Sequence, residues 1–415
     1  MTSMKETVLK LYEYEPRDIA YEELPLPIAK LLKQKYPNIV SVEAKETFTP
    51  GSDWRLNSQG WIGFIPLTPE FGIRLLPRRG ITITNLFDML EYAYDLKSFH
   101  PLKGLTNFSS SEEDLYDRFM IMLARYVLNR ARKGFYYSYR SRSDQLPYVR
   151  GRIDLSRKCF KPWEIKPECY FEEHTSDIDD NGILLWTLKQ ILRSGLCTEK
   201  SLPIVHQAYL KLAGFTELKP YTSIDCIGRK YNRLNQDYEP MHALCRFFLE
   251  NLAPGHEVGD RKMIPFLVDM DRLYELFVAR WLKSNALQGY RIESQEKVPI
   301  DRQQNTKFVI DLVVYSKTSN QTVCVLDTKY KIDPPSTSDI EQVVAYAVSK
   351  GCREAILIYP VDFRPPRLFT VKEIHVRSAT FSLEGNLREN GLNFIREVFG
   401  PGALDNNKKI SVCSG

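Results

Sequence analysis

Two apolar segments in the last third of the chain, each interrupted by an acidic residue, constrain the fold most. Lys307–Ser316 and Thr322–Tyr330 have the length and composition of β-strands, and they contain Asp311 and Asp327. A hairpin whose turn is centred on Ser319 places these two residues directly opposite each other, within about 5 Å. A carboxylate in an apolar strand is unfavourable unless it is paired or binds a metal. The sequence therefore predicts two carboxylates that meet on one face of a sheet.

Lys329 adds a cation to this acidic pair. Side chains alternate between the two faces of a sheet, so Lys329 and Asp327 point the same way. Two close carboxylates bind a hard divalent cation through oxygen, and a nearby lysine can orient or deprotonate water and stabilise charge on a phosphate. We interpret Asp311 and Asp327 as ligands of Mg²⁺, with Mn²⁺ as a substitute ion, and Lys329 as a catalytic residue that activates water. A structural interpretation stays open, because strands that end in charged residues are common.

Two flanking helices carry three further candidates for the same site. Glu275 lies on the amphipathic helix that begins at Met270 and can add a carboxylate, although a solvated helix face is the alternative. Gln342 and Tyr346 are four residues apart, so they share one face of a helix predicted over 339–349. For Tyr346 the alternative is plain core packing. Residues 338–341 (Ser-Asp-Ile-Glu) have the form of a capping box for this helix.

A basic segment rich in tyrosine covers residues 125–158. Ten Lys and Arg against two Asp give it a net charge of +8, above the +5 of the whole chain. Guanidinium groups neutralise phosphates, and aromatic rings stack on bases or sugars. The alternative is that several of these arginines pair with acidic residues between 172 and 180. The DNA-binding candidates are Arg140, Arg142, Arg150 and Arg152.

Composition and missing motifs exclude several classes of protein. The 43% hydrophobic and 26% charged residues are ordinary for a folded globular chain. The eight cysteines form no CxxC pair, which argues against a zinc ribbon and fits a reducing cytoplasm. The sequence shows no P-loop and no GxSxG nucleophile motif. No apolar segment approaches the ~18–20 residues that span a bilayer. Because the sequence has no P-loop, any nucleotide energy that the activity uses must come from a partner.

The pattern along the chain predicts an α+β multidomain protein. At roughly 100–200 residues per domain, 415 residues suggest two or three domains. Residues 1–105 read as a β-rich N-terminal domain, residues 106–260 as a mostly helical middle domain, and residues 401–415 as a flexible tail. Between them, residues 261–400 alternate helix, strand, strand, helix and strand. This order predicts a C-terminal α/β domain with a mixed sheet.

Seven sequence blocks follow one another along the chain: Thr84–Ala93, Val149–Leu155, Cys169–Asn181, Asp271–Val278, Val309–Asp311, Leu326–Lys331 and Asp339–Ala347. In this order they resemble the McrC family, the nuclease subunits of McrBC modification-dependent restriction systems. The resemblance covers about 80–400. It implies a PD-(D/E)xK nuclease domain with Asp311, Asp327 and Lys329 at the catalytic positions. Ile310 stands where the motif often has proline, a common departure.

The resemblance also implies a partner and a biological role. Members work with a McrB-like AAA+ GTPase hexamer, which recognises the modified DNA and whose ring receives the N-terminal part of McrC. We therefore expect a cytoplasmic prokaryotic endonuclease subunit that cuts foreign double-stranded DNA, with 5-methylcytosine as the expected modification, in antiphage defence. Two alternatives stay open: a non-catalytic adaptor that stimulates an AAA+ motor, and a nuclease of a related system with an unmethylated target site.

Overall fold

The computed structural model divides into two compact units by the contacts between residues. The first unit comprises Met1–Lys103 and Leu267–Gly415, and the second comprises Gly104–Phe266. The structure describes residues 7–44, 53–68, 71–94, 114–153, 166–252, 256–258, 261–263, 265–285, 289–300 and 306–400. The predicted tail at 401–415 and the last residues of the basic segment, 154–158, lie outside the described residues.

The N-terminal segment of the first unit is rich in strands, as its alternating apolar pattern indicates. One antiparallel sheet has the order β2-β4-β3. A second, mixed sheet has the order β1-β6-β5-β12, in which β1 runs parallel to β6 and β12 is Phe266–Asp269 from later in the chain. Strand β5 is buried along nearly its whole length. The elements of this segment are β1 Thr7–Tyr12, β2 Arg17–Ile19, α1 Leu26–Lys35, β3 Val40–Ala44, β4 Trp54–Ser58, β5 Trp61–Thr68, β6 Phe71–Leu76 and α2 Ile83–Ala93.

The second unit combines helices with a small antiparallel sheet of order β7-β9-β8. Asn181 is fully buried and links this unit internally, because it accepts a hydrogen bond from Tyr238 Oη at 2.7 Å and donates to the carbonyls of Tyr136 and Ser176. The elements are α3 Asp114–Lys133, β7 Ser138–Gln145, β8 Arg152–Ile153, β9 Glu168–Thr175, α4 Asp179–Arg193, α5 Leu202–Ala213, a 3-10 turn Ser223–Cys226, α6 Tyr238–Asn251, β10 His256–Val258 and β11 Arg261–Met263.

The C-terminal segment of the first unit contains the predicted mixed sheet. Its six strands have the order β13-β14-β15-β16-β18-β17, with β15, β16 and β18 parallel and the other neighbouring pairs antiparallel. The elements are β12 Phe266–Asp269, α7 Met270–Ser284, β13 Tyr290–Pro299, β14 Lys307–Ser316, β15 Thr322–Thr328, α8 Thr337–Lys350, β16 Glu354–Tyr359, β17 Leu368–Val371, β18 Ile374–Thr380 and α9 Leu387–Phe399.

Helix α8 packs on this sheet through an apolar stripe that includes Val343 and Ala347, both fully buried. Its start differs from the prediction. Ser336, not Ser338, is the N-cap. Its hydroxyl accepts a hydrogen bond from the backbone N of Asp339, and the Asp339 carboxylate accepts one from the backbone N of Ser336. The box is therefore shifted by two residues, because Asp339 fills the third helical position that Glu341 was expected to fill.

Helix α9 approaches α7 closely at a glycine. A Cβ atom built on Gly391 would lie 2.1 Å from the ring of Trp281. Any larger residue would therefore push the two helices apart, and a buried Trp makes a large contribution to core packing.

The contacts divide the chain close to the predicted region boundaries, after Lys103 and after Phe266. Residues of the predicted N-terminal and C-terminal domains nevertheless share one compact unit. Whether the three predicted regions act as separate domains stays a prediction. No helix among the described residues is long and apolar enough to cross a membrane.

Candidate functional site

Strands β14 and β15 pair in the register that the sequence predicts. Leu312 lies opposite Leu326 and Val313 opposite Val325, and the same register continued by one position brings Asp311 to Asp327. Nearer the turn, after Val314, a bulge shifts the pairing by one residue, so the hairpin is not symmetric up to its turn. The bulge lies between these pairs and the turn, on the far side from the two acidic residues, and the charge of Asp311 contributes to the raised pKa of Asp327.

Asp311 is held by the residue that follows Asp327. Its Oδ2 atom accepts a hydrogen bond from the backbone N of Thr328 at 2.9 Å and another from the Thr328 hydroxyl at 2.8 Å. Burial raises the pKa of this carboxyl, although the two hydrogen bonds partly offset that rise. Asp311 is therefore fixed in direction, with one oxygen engaged by the neighbouring strand.

Asp327 is the most buried carboxyl of the site, with 1% of its surface exposed. Lys329 Nζ lies 2.8 Å from its Oδ2 atom as an ion pair, yet this oxygen receives no well-aligned hydrogen bond from the described residues. Burial, followed by the charge of Asp311, raises the pKa of Asp327 to about 6. An incompletely satisfied buried oxygen next to a second carboxylate is suited to a cation ligand.

Lys329 is connected to α8 through a short chain of hydrogen bonds. Its Nζ donates to Gln342 Oε1 at 2.9 Å, and Gln342 Nε2 donates to Tyr346 Oη at 2.7 Å. Burial opposes the charge on Lys329, but attraction to Asp327 outweighs it and the pKa is raised. The structure thus brings Lys329, Gln342 and Tyr346 together. Tyr346 is also a buried core residue whose ring meets Phe308 edge to face, as the packing alternative expects, and its role in the reaction stays a prediction.

Glu275 projects from α7 towards the same carboxylates. Its Oε1 accepts a hydrogen bond from Gln295 Nε2. Burial, and then repulsion from Asp311, raise the pKa of Glu275 to about 7. Glu275 is partly buried, and its role at the site stays a prediction.

The three carboxyl groups fit a hard divalent cation as a donor set. Burial raises all three pKa values, and each proton can be displaced by a cation that compensates the negative charge. Among the described residues no three His, Cys, Asp or Glu side chains are already arranged as a metal cage. Mg²⁺ does not require one, since it commonly uses one or two carboxylates together with water and substrate phosphates.

Two contributors to the site were missed at the sequence level. Thr328 lies inside the Asp-Thr-Lys motif but reads as a spacer, and Gln295 lies on β13, which the sequence did not identify as a strand. The signal for Thr328 was its place beside Asp327, since a residue directly after the acidic position can hydrogen-bond across the hairpin. Nothing in the local sequence marks Gln295.

The arginine candidates lie in the second unit, on and beside its small sheet. Arg140 forms ion pairs with Asp177 at 3.9 Å and Asp179 at 3.3 Å, and Arg142 pairs with Glu173 at 2.9 Å. For these two the alternative interpretation, pairing with residues between 172 and 180, is observed.

Arg150 and Arg152 are exposed and flank Gly151. The guanidinium of Arg150 stacks 4.1 Å from the centre of the Phe171 ring. Gly151 has a φ of +70°, and a Cβ atom there would lie 2.2 Å from the Tyr170 carbonyl oxygen. The glycine therefore allows the Arg-Gly-Arg segment to pass close to β9, which fixes where both arginines emerge.

Comparisons with known proteins agree with this architecture. A chain from a Thermococcus gammatolerans structure, titled as a half-complex of McrB AAA+ hexamers with bound McrC, is 18% identical with a TM-score of 0.57, covering 95% of this chain and 99% of that one. This likeness shows a shared fold. A chain of the cryo-EM McrBC complex from the same organism is 17% identical with a TM-score of 0.42, covering 67% and 88%. No curated protein matches the sequence.

The family comparison covers most of the chain. The model described as McrBC 5-methylcytosine restriction system component matches residues 56–360, which include the candidate catalytic residues and the four arginines. This match confirms the resemblance seen in the sequence blocks. The chain therefore belongs to the family of McrBC 5-methylcytosine restriction system components.

Proposed function

We propose that this chain is the metal-dependent DNA endonuclease subunit of a McrBC-type restriction complex. The observation that supports the proposal most is the meeting of Asp311 and Asp327 on paired strands with Lys329 Nζ 2.8 Å from Asp327. A buried and a partly buried carboxylate on two inner strands of the sheet, next to an ammonium group, are what metal-dependent phosphodiester hydrolysis needs. The order β14, β15, α8 and β16 supports a PD-(D/E)xK fold for this segment.

In the proposed reaction, each residue has a role that follows from its contacts. Asp311 and Asp327 would hold Mg²⁺, or Mn²⁺ in its place, and Glu275 would support them. When bound, the ion supplies positive charge to the scissile phosphate and its nucleophile. Lys329 places its ammonium beside the reacting phosphate, where it orients the attacking water and stabilises developing negative charge. Gln342 keeps the ammonium in this position, and Tyr346 orients Gln342.

The proposed complex contains a McrB-like AAA+ GTPase hexamer. The similar chain from Thermococcus gammatolerans belongs to a structure whose title names McrB AAA+ hexamers with bound McrC. A P-loop is missing from the sequence, which fits a division of labour in which the partner hydrolyses GTP. Residues 1–105 are proposed to contribute to docking, and the chain to stimulate the partner's GTPase.

The proposed substrate is modified foreign double-stranded DNA, with 5-methylcytosine as the expected mark, because the family description names that base. Arg150 and Arg152 are the better candidates for phosphate contacts, since both are exposed. Arg140 and Arg142 are engaged by carboxylates and would have to exchange these partners for phosphate.

The decisive experiment is Asp327→Ala in the complete complex with its GTPase partner, Mg²⁺ and methylated DNA. We expect cleavage to fall at least about a hundredfold, since a metal ligand supports several kcal/mol of transition-state stabilisation. Complex formation and GTP turnover should remain, because Asp327 lies inside the sheet and not on a docking surface. Glu373→Ala is the matched control, an exposed carboxylate next to β18 of the same sheet. Undiminished cleavage by Asp327→Ala would contradict the proposal and leave a non-catalytic adaptor.

A further inference from the structure

The residue after Lys329 is hydrogen-bonded to the two residues that follow strand β1. Tyr330 is buried, with 2% of its surface exposed, and its hydroxyl donates a hydrogen bond to Glu13 Oε2 at 2.8 Å. The hydroxyl of the next residue, Tyr14, donates to the backbone carbonyl of Tyr330 at 2.9 Å. Two successive residues of the N-terminal segment therefore hydrogen-bond to the side chain and to the backbone of Tyr330, which is next to Lys329.

An unusual backbone conformation at Tyr14 allows both hydrogen bonds to Tyr330 to form. Tyr14 has a φ of +60°, which is uncommon for a residue other than glycine. In an extended strand, neighbouring side chains point to opposite sides, so Glu13 and Tyr14 could not both reach Tyr330. The left-handed residue breaks the strand there. Hydrogen bonds from the backbone N of Glu13 to Leu76 and from that of Tyr14 to Ser58 hold it in place.

Glu13 is itself an unusual residue for its position. Only 1% of its surface is exposed, and its Oε1 atom receives no hydrogen bond from the described residues. Its Oε2 atom accepts from the Tyr330 hydroxyl and, at 3.3 Å, from the backbone N of Arg78. A buried carboxyl with one unsatisfied oxygen destabilises the fold. An apolar residue would leave the buried Tyr330 hydroxyl and the backbone N of Arg78 without this acceptor, which indicates that Glu13 is there to bind them.

The hydrogen bonds of Glu13 and Tyr14 with Tyr330 complete a set of contacts that fix the backbone around Lys329. Thr328 before it is bound by Asp311, and Tyr330 after it is bound by Glu13 and Tyr14. The backbone N of Lys329 itself donates to the Ile358 carbonyl at 2.8 Å. Because the backbone is fixed before, at and after the lysine, its ammonium group has a defined starting point from which to reach Asp327 and Gln342.

We propose that Glu13 and Tyr14 are positioning residues for the nuclease site, acting through Tyr330 on Lys329. The inference rests on the proposed function, since it assigns these residues to the reaction of that same site. A displacement of about 1 Å in a catalytic group can lower a rate about a hundredfold. The segment that follows β1 therefore contributes to the working nuclease site, although Glu13 and Tyr330 are separated by more than three hundred residues.

The test uses Tyr14→Phe and Tyr330→Phe in the complete complex, because each removes one hydroxyl and little volume. We expect the single-turnover cleavage rate to fall about tenfold, which corresponds to a loss of about 1.4 kcal/mol of transition-state stabilisation. The half-saturating concentrations of DNA and Mg²⁺ should stay the same, since neither hydroxyl contacts them. Glu13→Leu should lower the rate in the same way, and Glu13→Gln, which keeps an accepting oxygen for Tyr330, should restore it.

Tyr315→Phe is the matched control. Tyr315 lies on β14 four residues after Asp311, and its hydroxyl bonds Glu296 and Lys350 instead of the Lys329 region. Its cleavage rate should remain at the wild-type value. The positioning role is overturned if both Tyr14→Phe and Tyr330→Phe cleave at the wild-type rate while Asp327→Ala is inactive. It is also overturned if Glu13→Gln is as slow as Glu13→Leu. Active Asp327→Ala would instead refute the proposed function, so the two failures are distinguishable.

Discussion

Thr328 donates two hydrogen bonds to a single oxygen of Asp311, one from its backbone N at 2.9 Å and one from its hydroxyl at 2.8 Å. The arrangement makes the Asp311 carboxylate asymmetric. Its Oδ2 atom is engaged by the neighbouring strand, and Oδ1 is left to carry the contacts of the proposed metal site. Thr328 therefore sets the direction in which Asp311 can offer an oxygen.

The first prediction concerns this hydroxyl. Thr328→Val keeps the shape and the backbone hydrogen bond but removes the hydroxyl donor, at a cost of about 1 kcal/mol. We expect cleavage to fall several-fold and the half-saturating Mg²⁺ concentration to rise, because Asp311 gains rotational freedom. Thr328→Ser, which retains the donor, should behave as the wild type. Equal cleavage and Mg²⁺ dependence in the valine and serine variants would show that the hydroxyl has no such role.

The hairpin of the site was predictable from the sequence because side-chain alternation and apolar burial fix the register of a strand pair. The pairing of Leu312 with Leu326 follows from that pattern. The shift after Val314 was not predictable, since a bulge depends on how the turn closes. The predicted cap of α8 lies two residues too late. Ser336 and Ser338 each have an acidic residue three positions further on, and only the backbone geometry distinguishes them.

Contacts between distant parts of the chain explain what the sequence left open. The hydrogen bond between Tyr330 and Glu13 has no local signature, because Glu13 looks like one of many acidic residues near a strand end. The arginines illustrate the same limit. Their charge predicts a basic surface, but only the folded sheet shows that Arg142 lies beside Glu173 while Arg150 stacks on Phe171.

The second prediction concerns Gln342. Gln342→Leu removes the acceptor that holds Lys329 Nζ at 2.9 Å and leaves Tyr346 without its donor. We expect cleavage to fall about tenfold with unchanged DNA affinity, because the ammonium loses one of its two fixed contacts. Tyr346→Phe should have a smaller effect, since it reaches the lysine only through Gln342. A larger loss in the phenylalanine variant would instead point to direct contact of Tyr346 with the substrate.

The third prediction concerns the pH dependence of metal binding. Burial and mutual repulsion raise the pKa of Glu275 to about 7 and that of Asp327 to about 6. Protons therefore compete with the cation as the pH falls through this range. We expect Mn²⁺ affinity, measured by calorimetry, to weaken progressively from pH 8 to pH 5.5. Glu275→Gln should remove the upper part of this dependence. Affinity that does not change over this interval would contradict the role of these carboxyls.

The fourth prediction separates the two pairs of arginines. Charge reversal of Arg150 and Arg152 to glutamate should weaken DNA binding and reduce the slope of affinity against salt concentration, as expected when phosphate contacts are lost. Replacing Arg140 and Arg142 by glutamine should change that slope less, because both already pair with carboxylates. The measurement is fluorescence anisotropy over a salt series. An unaltered slope in the Arg150 and Arg152 variant would show that these two arginines do not contact phosphates and have a structural role.

The fifth prediction concerns stability and Glu13. Burial, partly offset by the Tyr330 hydrogen bond, raises the pKa of Glu13 from 4.5 to about 8. Between these values the unfolded chain has released the proton and the folded chain retains it, so rising pH favours unfolding. The cost grows by about 1.4 kcal/mol per pH unit while the two states differ by one proton.

Glu13→Gln has no such proton to lose, and its amide oxygen can still accept from Tyr330. We expect its midpoint of urea unfolding to match the wild type near pH 4.5 and to exceed it increasingly towards pH 8, with no further divergence above that value. Glu373→Gln, at an exposed position, is the control and should follow the wild type throughout. A constant difference between wild type and Glu13→Gln at every pH would mean that Glu13 keeps its ordinary pKa in the folded protein, because only a shifted pKa makes the difference depend on pH.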